Sequence, residues 1–224
     1  MAAGPLGAAQ RGPGEHVLYG STGSGSAAIE VALEWAGRPY RIVSAATWEP
    51  GEGLEALKRV NPLGQIPTLL LPDGTVLSES AAILIHLGLN HPQSALLPAD
   101  ASARAQALRA LVFIAANCYA AVSISDYPER WCAEPDDDSN ARVRRAARAQ
   151  LHRAWEAFAD QFGGEPFLFG AQPGAADLLA AVVSKWSGTR AHLTQARPHF
   201  LATLKRIEVH PRIAPVFARH WAAA

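Results

Sequence analysis

Cysteine is almost missing from this chain: Cys118 and Cys132 are the two in 224 residues. So sparse a pair builds neither a disulfide framework, nor a CxxC redox motif, nor a paired zinc-ligand spacing, and it reads as two free thiols in a reducing compartment. An excess of charge is missing as well. Lys plus Arg and Asp plus Glu number 20 each, so there is no basic field of the kind that nucleic acid or an anionic membrane surface demands. The partner expected is therefore a small molecule or a protein, with no nucleic acid and no membrane. No apolar run approaches the roughly 18 residues that cross a bilayer, which argues for a soluble protein. Residues 1–15 are rich in Ala, Gly and Pro and lack the apolar stretch of a secretory signal; they read as a disordered extension of a cytoplasmic protein. The eight histidines fall singly, none in a HExxH-type spacing, so a metal-dependent hydrolase fits poorly and no metal site is expected.

What is present is apolar mass: about half of the residues, in a length that suits two modest domains. His16 to Tyr19 reads as a strand, Ser21 to Ser26 as a small-residue loop, Ala27 to Ala36 as a helix ended by Gly37, and Tyr40 to Val43 as a second strand. Strand, helix, strand is most simply a parallel unit. A short helix near Leu54 to Arg59 follows. Thr68 to Leu71, the turn Pro72-Asp73-Gly74 and Thr75 to Leu77 then spell a β-hairpin. Ser78 can cap a helix that begins at Glu79 and Ser80 and runs to about Leu89, where His91-Pro92 stops it. The character changes at Pro98-Ala99-Asp100, beyond which helical periods dominate. From Ala141 to Phe162 the residues Val143, Ala147, Leu151, Trp155, Phe158 and Phe162 define one buried face, and the arginines 142, 144, 145, 148 and 153 lie off it as a solvated one. The division expected is an extension over 1–15, an α/β domain over 16–92, a linker over 93–100 and an all-α domain over 101–224.

Three features could carry chemistry. The Ser-rich loop ahead of the first helix offers backbone N–H groups, a helix N-terminus and hydroxyls, a setting that favours an anion such as a thiolate; it has neither the Gly-Lys-Ser/Thr of a P-loop nor a full GxGxxG pattern. In Asn61-Pro62-Leu63-Gly64-Gln65-Ile66-Pro67-Thr68-Leu69 a proline stands directly before a strand-forming run. Glu79-Ser80 places a carboxylate and free amides at a helix start, which together match the ammonium and carboxylate of an amino-acid end group.

Asn61-Pro-Leu-Gly-Gln-Ile-Pro-Thr-Leu, then Pro72-Asp-Gly-Thr, then Leu77-Ser-Glu-Ser-Ala-Ala-Ile, in unbroken order, resembles the glutathione-site signature of the cytosolic glutathione transferases, in a bacterial-type version with a serine loop. Phe167-Leu168-Phe169-Gly170 and Pro173-Gly174-Ala175-Ala176-Asp177-Leu178 resemble that family's buried helix, with Gly174 in place of the usual Ser or Thr cap and Asp177 still able to reach back to the Gly174 N–H. The resemblance implies a thioredoxin-like N-terminal domain (βαβ-ββα) and an all-helical C-terminal domain. It implies a glutathione S-transferase of the detoxification type, with glutathione as co-substrate, a small hydrophobic electrophile and a homodimer. It also implies that Pro67 is cis, that the Ile66 backbone pairs with the cysteinyl part of glutathione, and that Gln65, Glu79 and Ser80 hold its peptide and γ-glutamyl ends.

The thiol-activating residue stays open in the sequence. Alignment with the serine-type enzymes puts Ser24 at the catalytic serine, with Ser21 next and Ser26 and Tyr19 as neighbours; the cysteine-type enzymes would have their cysteine where this chain has Gly25. A free thiol with a pKa near 8.5 is only a few per cent ionised at neutral pH. Lowering that value by about two units takes about 2.7 kcal/mol, the order that one hydroxyl hydrogen bond and a helix-end field supply together. The electrophile pocket implied by the resemblance lies between the domains, with Ile114, Asn117, Cys118, Tyr119 and the stretch Tyr127 to Trp131 as candidates that serve equally as packing. The rival readings are a non-catalytic binding or regulatory protein on the same fold and a glutathione-dependent isomerase or dehalogenase.

Overall fold

The computed structural model describes residue 12 and residues 14–221, so most of the extension expected over 1–15 lies outside the described residues. The first half is a four-stranded mixed sheet of order β2-β1-β3-β4. Strand β1 (His16–Gly20) is buried at every position and sits inside the sheet; β2 (Tyr40–Ser44) is half exposed and forms an edge. They run parallel, with His16 opposite Tyr40 and Gly20 opposite Ser44. On the other side β1 pairs antiparallel with β3 (Thr68–Leu70), which pairs antiparallel with β4 (Val76–Leu77).

Two helices show how differently the faces of this sheet are used. Helix α1 (Ser26–Trp35), the crossover between β1 and β2, buries nine of its ten residues, because it lies between the sheet and the helical half. Helix α2 (Glu52–Val60) buries only Leu57; its acidic first turn and basic last turn complement the helix dipole, and it covers a small cluster of Val17, Tyr19, Ala45 and Leu57. Helix α3 (Ser80–Asn90) closes the half. Ser78 makes no cap: the residue at the cap position is Glu79, and no side chain caps the helix.

In the second half, helix α4 (Ala101–Phe113), a π-helical turn (Ile114–Tyr119) and helix α5 (Ala120–Asp126) form one helical stretch of 26 residues. By length and composition alone it is apolar enough to cross a membrane, which corrects the sequence expectation; scattered Arg104, Gln106, Arg109 and Asn117 break up the letters without making the stretch polar. Its inner side, including Ala107, Leu111, Ile114, Cys118 and Val122, is buried against helix α6 (Asp137–Phe162) and helix α7 (Ala175–Val183), so this side packs into the core. Helix α6 starts at Asp137 because Asp136 and Ser139 cap each other: Ser139 N donates to Asp136 Oδ1 at 2.6 Å and Asp136 N to Ser139 Oγ at 2.9 Å. The buried side of α6 carries Ala147, Leu151, Trp155, Phe158 and Phe162, while Arg142, Arg145, Arg148 and Arg153 are exposed. Two residues depart from the expected division: Val143 is only half-buried, and Arg144 is half-buried because its Nε donates to the Ser125 carbonyl of α5 at 3.1 Å.

Helices α8 (Thr189–Ala196), α9 (Pro198–Glu208) and α10 (Ala214–His220) complete the chain. One continuous apolar cluster runs from Leu18 and α1 through α7 to Phe217 of α10, joining the halves. The connecting segment is part of it: Leu96 and Leu97 are buried, and the Leu96 carbonyl accepts the Ala175 N–H at 2.8 Å.

Candidate functional site

The site expected from the sequence requires four chain segments to meet: the Ser-rich loop, the Gln65-Ile66-Pro67 turn, the start of α3, and some part of the helical half. They converge at Gly25. A methyl group built on its Cα would lie 2.6 Å from the Tyr119 hydroxyl, 3.3 Å from Pro67 Cδ and 3.5 Å from Ser80 Oγ. A side chain there would have to displace the Tyr119 hydroxyl and press on Pro67, since real Cβ atoms essentially never come within 3.0 Å of a foreign atom.

The loop ahead of α1 is held by its own polar groups. Ser24 Oγ donates to the Ser21 carbonyl at 2.7 Å and accepts from the Ser21 N–H at 3.3 Å and the Ser26 N–H at 3.2 Å. The Ser26 hydroxyl lies 3.0 Å from Ser24 Oγ and donates to the same Ser21 carbonyl at 3.2 Å. A serine hydroxyl carries one hydrogen; that of Ser24 is engaged with Ser21, and the residue is buried. Ser21 is half-buried and lines a cavity of about 150 Å³ with Glu30, Ser44, Arg219 and His220. Tyr19 packs into the cluster with Val17 and Leu57.

The turn before β3 is built by Asn61. Its side-chain amide donates to Thr68 Oγ1 at 2.9 Å and to the Gln65 carbonyl at 3.3 Å, its side-chain carbonyl accepts the Leu63 N–H at 3.2 Å, and Thr68 Oγ1 donates to the Gln65 carbonyl at 2.8 Å. These bonds fix the backbone on both sides of Ile66, leave the Gln65 side chain exposed, and deliver Pro67 buried with a cis Ile66-Pro67 bond.

At α3 the backbone itself is unusual. Glu79 has φ 66°, a left-handed conformation that L side chains rarely adopt and that costs about 1–3 kcal/mol unless the surroundings impose it. The turn sets the exposed Glu79 carboxylate just ahead of the first free amides of the helix, beside half-buried Ser80. A cation partner and anion-binding N–H groups thus stand side by side. Gln65, Ile66, Pro67, Glu79 and Ser80 all belong to the two segments flanking the β3-β4 hairpin, and Ser80 and Pro67 meet directly at Gly25.

Two contributions from the helical half escaped the sequence reading. The first is the placement of Tyr119, which the sequence offered only as a pocket-lining candidate. Its ring is held edge-on against Trp186 with centroids 5.6 Å apart, and its hydroxyl makes no hydrogen bond among the described residues. Burial, with the Glu79 and Asp126 carboxylates adding to it, pushes its pKa up to about 12. Neighbouring Cys118 is fully buried and its thiol is pushed up by burial, so it is no thiolate nucleophile. The second is the His220–Glu30 pair. The Gly23 N–H donates to His220 Nδ1 at 3.1 Å, which places the ring proton on Nε2, where it is donated to Glu30 Oε1. Arg219 adds a contact to Glu30 Oε2 at 3.4 Å. Glu30 within the mainly apolar run Ala27 to Leu33 was the available signal, since a charge among residues of a buried helix is paired.

A second cavity, of about 550 Å³, is lined wholly from the helical half by residues such as Asp160, Glu165, Arg197 and His199, away from Gly25 and the loop. Among the described residues no group of three or more His, Cys, Asp or Glu could hold a metal ion.

Residues 26–89 match the glutathione S-transferase N-terminal domain and residues 140–219 the glutathione S-transferase C-terminal domain. An uncharacterized GST-like protein of Escherichia coli K12, YncG, is 32% identical over 75% of this chain and 80% of its own. Glutathione S-transferase GstA of Escherichia coli O157:H7 is 25% identical over 88% of this chain and 94% of its own. The solved structure of a sphingomonad glutathione S-transferase complexed with glutathione is 25% identical, with a TM-score of 0.70 over 92% of this chain and 100% of the other. The two domain matches, with a relative of this similarity over this length, show that the chain belongs to the glutathione S-transferase family.

Proposed function

We propose that the protein binds glutathione at the junction of the Ser loop, the Ile66-Pro67 turn and the start of α3, and stabilises its thiolate for addition to, or displacement on, a small hydrophobic electrophile. The observation that carries this reading is the convergence of Gly25, Pro67, Ser80 and Tyr119 beside a helix start that carries no cap and has Glu79 set against it. A tripeptide with an ammonium and a carboxylate at its γ-glutamyl end meets Glu79 and the amides at Ser80. The Ile66 backbone pairs with its cysteinyl part, Gln65 with its peptide, and the thiol then falls at Gly25. Ser24 and Ser21 serve by holding the loop that lines this place.

The reading extends to assembly and setting. Leu89 and Val112 are exposed by 55% each, on α3 and α4, and an apolar surface on these two helices suits a homodimer, which sedimentation would read directly. Free thiols without a disulfide suit a reducing cytoplasm, and conjugation of electrophiles there is a detoxification role.

Calorimetric titration of the protein with glutathione tests the binding, with Glu79→Ala in parallel. Binding by the parent and its loss in the variant are expected. No heat of binding up to millimolar glutathione would sink the proposal. Binding without turnover of any aromatic, epoxide, haloalkane or enol substrate would reduce it to a glutathione-binding protein.

A further inference from the structure

We infer that the Tyr119 hydroxyl, delivered by the π-helical turn of the second half to the space above Gly25, is the hydrogen-bond donor that stabilises the glutathione thiolate. The inference rests on the glutathione-binding reading above and assigns the residue that acts on the sulfur.

Three observations converge on it. The hydroxyl occupies the position that a side chain on Gly25 would take, 2.6 Å from the Cβ such a residue would have, so Tyr119 reaches this place from a distant segment. The same place borders Pro67 and Ser80, the residues from the turn and the helix start between which the cysteinyl part of glutathione fits. The donor is available: Tyr119 makes no hydrogen bond among the described residues, whereas the Ser24 hydrogen is engaged with the Ser21 carbonyl at 2.7 Å. An O–H with no acceptor among the described residues is free to donate to an acceptor on a bound ligand.

The ring cannot easily turn away. Trp186 packs against it edge-on at 5.6 Å, and the residue belongs to a π-helical turn, Ile114–Tyr119, of a kind frequent at functional sites. Its chemistry also fits. Burial and the nearby Glu79 and Asp126 carboxylates all resist loss of the phenolic proton, so the group stays a neutral donor at the pH where glutathione ionises. The step is a proton loss from the cysteinyl S–H of bound glutathione to solvent water, with the resulting thiolate accepting the Tyr119 O–H hydrogen bond; the sulfur lone pair then attacks the electrophile. Tyrosine keeps its own proton throughout and forms no covalent intermediate.

The test is the pH titration of the thiolate ultraviolet absorbance of bound glutathione, in the parent, Tyr119→Phe, Gly25→Ala and Ser24→Ala, with calorimetric binding in each. Phenylalanine keeps the ring against Trp186 and removes only the donor. Tyr119→Phe is expected to bind glutathione with nearly unchanged affinity while the bound thiol titrates about one unit higher, about ten-fold less thiolate at a given pH below both values. Turnover should fall by a similar factor in kcat, with KM for glutathione little changed. Gly25→Ala, whose new methyl presses on the hydroxyl, is expected to raise the thiol pKa in the same direction, and it carries the test if Tyr119→Phe does not fold. A bound-thiol pKa unchanged in both variants overturns the role of Tyr119, and so does a rise confined to Ser24→Ala, which would hand the role to that serine. Absence of glutathione binding by the parent overturns the binding reading and this inference together, and calorimetry tells that case from the others.

Discussion

Helices α3 and α7 both begin without a capping side chain at the cap position, yet one start is open and the other closed. At α7 the cap residue is Gly174, and Asp177 in the first turn reaches back: its Oδ2 accepts the Gly174 N–H at 2.9 Å and its Oδ1 the Leu168 N–H at 3.0 Å. That carboxylate is buried and serves stability. At α3 no side chain among the described residues reaches back, no acidic residue lies in the first turn, and Glu79 stands outside it in a left-handed conformation. Unpaired helix amides are a cost to a fold and an asset to a ligand site. The chain closes the start that supports the core and keeps open the one that faces solvent.

The sharpest way to break this contrast is to open α7. Asp177→Ala would leave the buried Leu168 N–H and the half-buried Gly174 N–H without their partner, at about 1–3 kcal/mol for a buried donor and less for the other, so a loss of about 2–4 kcal/mol in urea unfolding is expected. The neutral substitution Asp177→Asn, which keeps a single acceptor oxygen, should lose less.

The pH dependence of the same residue comes next in size. Burial pushes the Asp177 carboxyl up to about 6, against the opposing pull of the Leu168, Gly174 and Asp177 N–H groups. A raised folded value means that the folded state holds the proton more tightly. The stabilisation it contributes is therefore complete below the unfolded value of about 3.9 and lost as pH rises through about 6. Comparing unfolding free energies of the parent and Asp177→Asn from pH 4 to pH 7 should show the parent losing about 2–3 kcal/mol relative to the variant.

At α3 the expected effects are on the ligand. Glu79→Ala should weaken glutathione binding about ten-fold or more by calorimetry, the order that a lost charge-assisted contact carries, while changing unfolding stability little. The smallest effect separates strain from function: Glu79→Gly relieves the left-handed residue and should raise stability by about 1 kcal/mol while still losing affinity. If Glu79→Gly binds as the parent does, the open start owes nothing to the carboxylate.

Much of this was legible along the chain because it is local. The strands, α1 with its Gly37 stop and the Asn61-to-Thr68 turn are written in periodicity, turn residues and short-range side-chain bonds. The reach of Asp177 back to Gly174 likewise spans one helical turn. The start of α6 was readable too, since Asp136 and Ser139 stand three residues apart, but the apolar period begins later and drew the boundary to Ala141. Ser78 looked like a cap because a serine before a helical pattern usually is one; the conformation of Glu79, imposed by its surroundings, moved the start. Tyr119 over Gly25 and His220 on Glu30 had no such local mark. Each joins segments remote in sequence, and only the packing of α4 to α10 on α1 brings them together.

The His220 bond to the Gly23 amide has a consequence for the order in which the protein matures. Its partners are 197 residues apart. At about 5–20 residues per second, a ribosome needs about 10–40 s between the two. The bonds among Ser21, Ser24 and Ser26 are local and can form in that interval, but the Gly23 amide waits for α10 to bring its acceptor. A nascent chain would thus carry a serine loop short of its last tie, and would gain that tie only when nearly the whole chain has emerged.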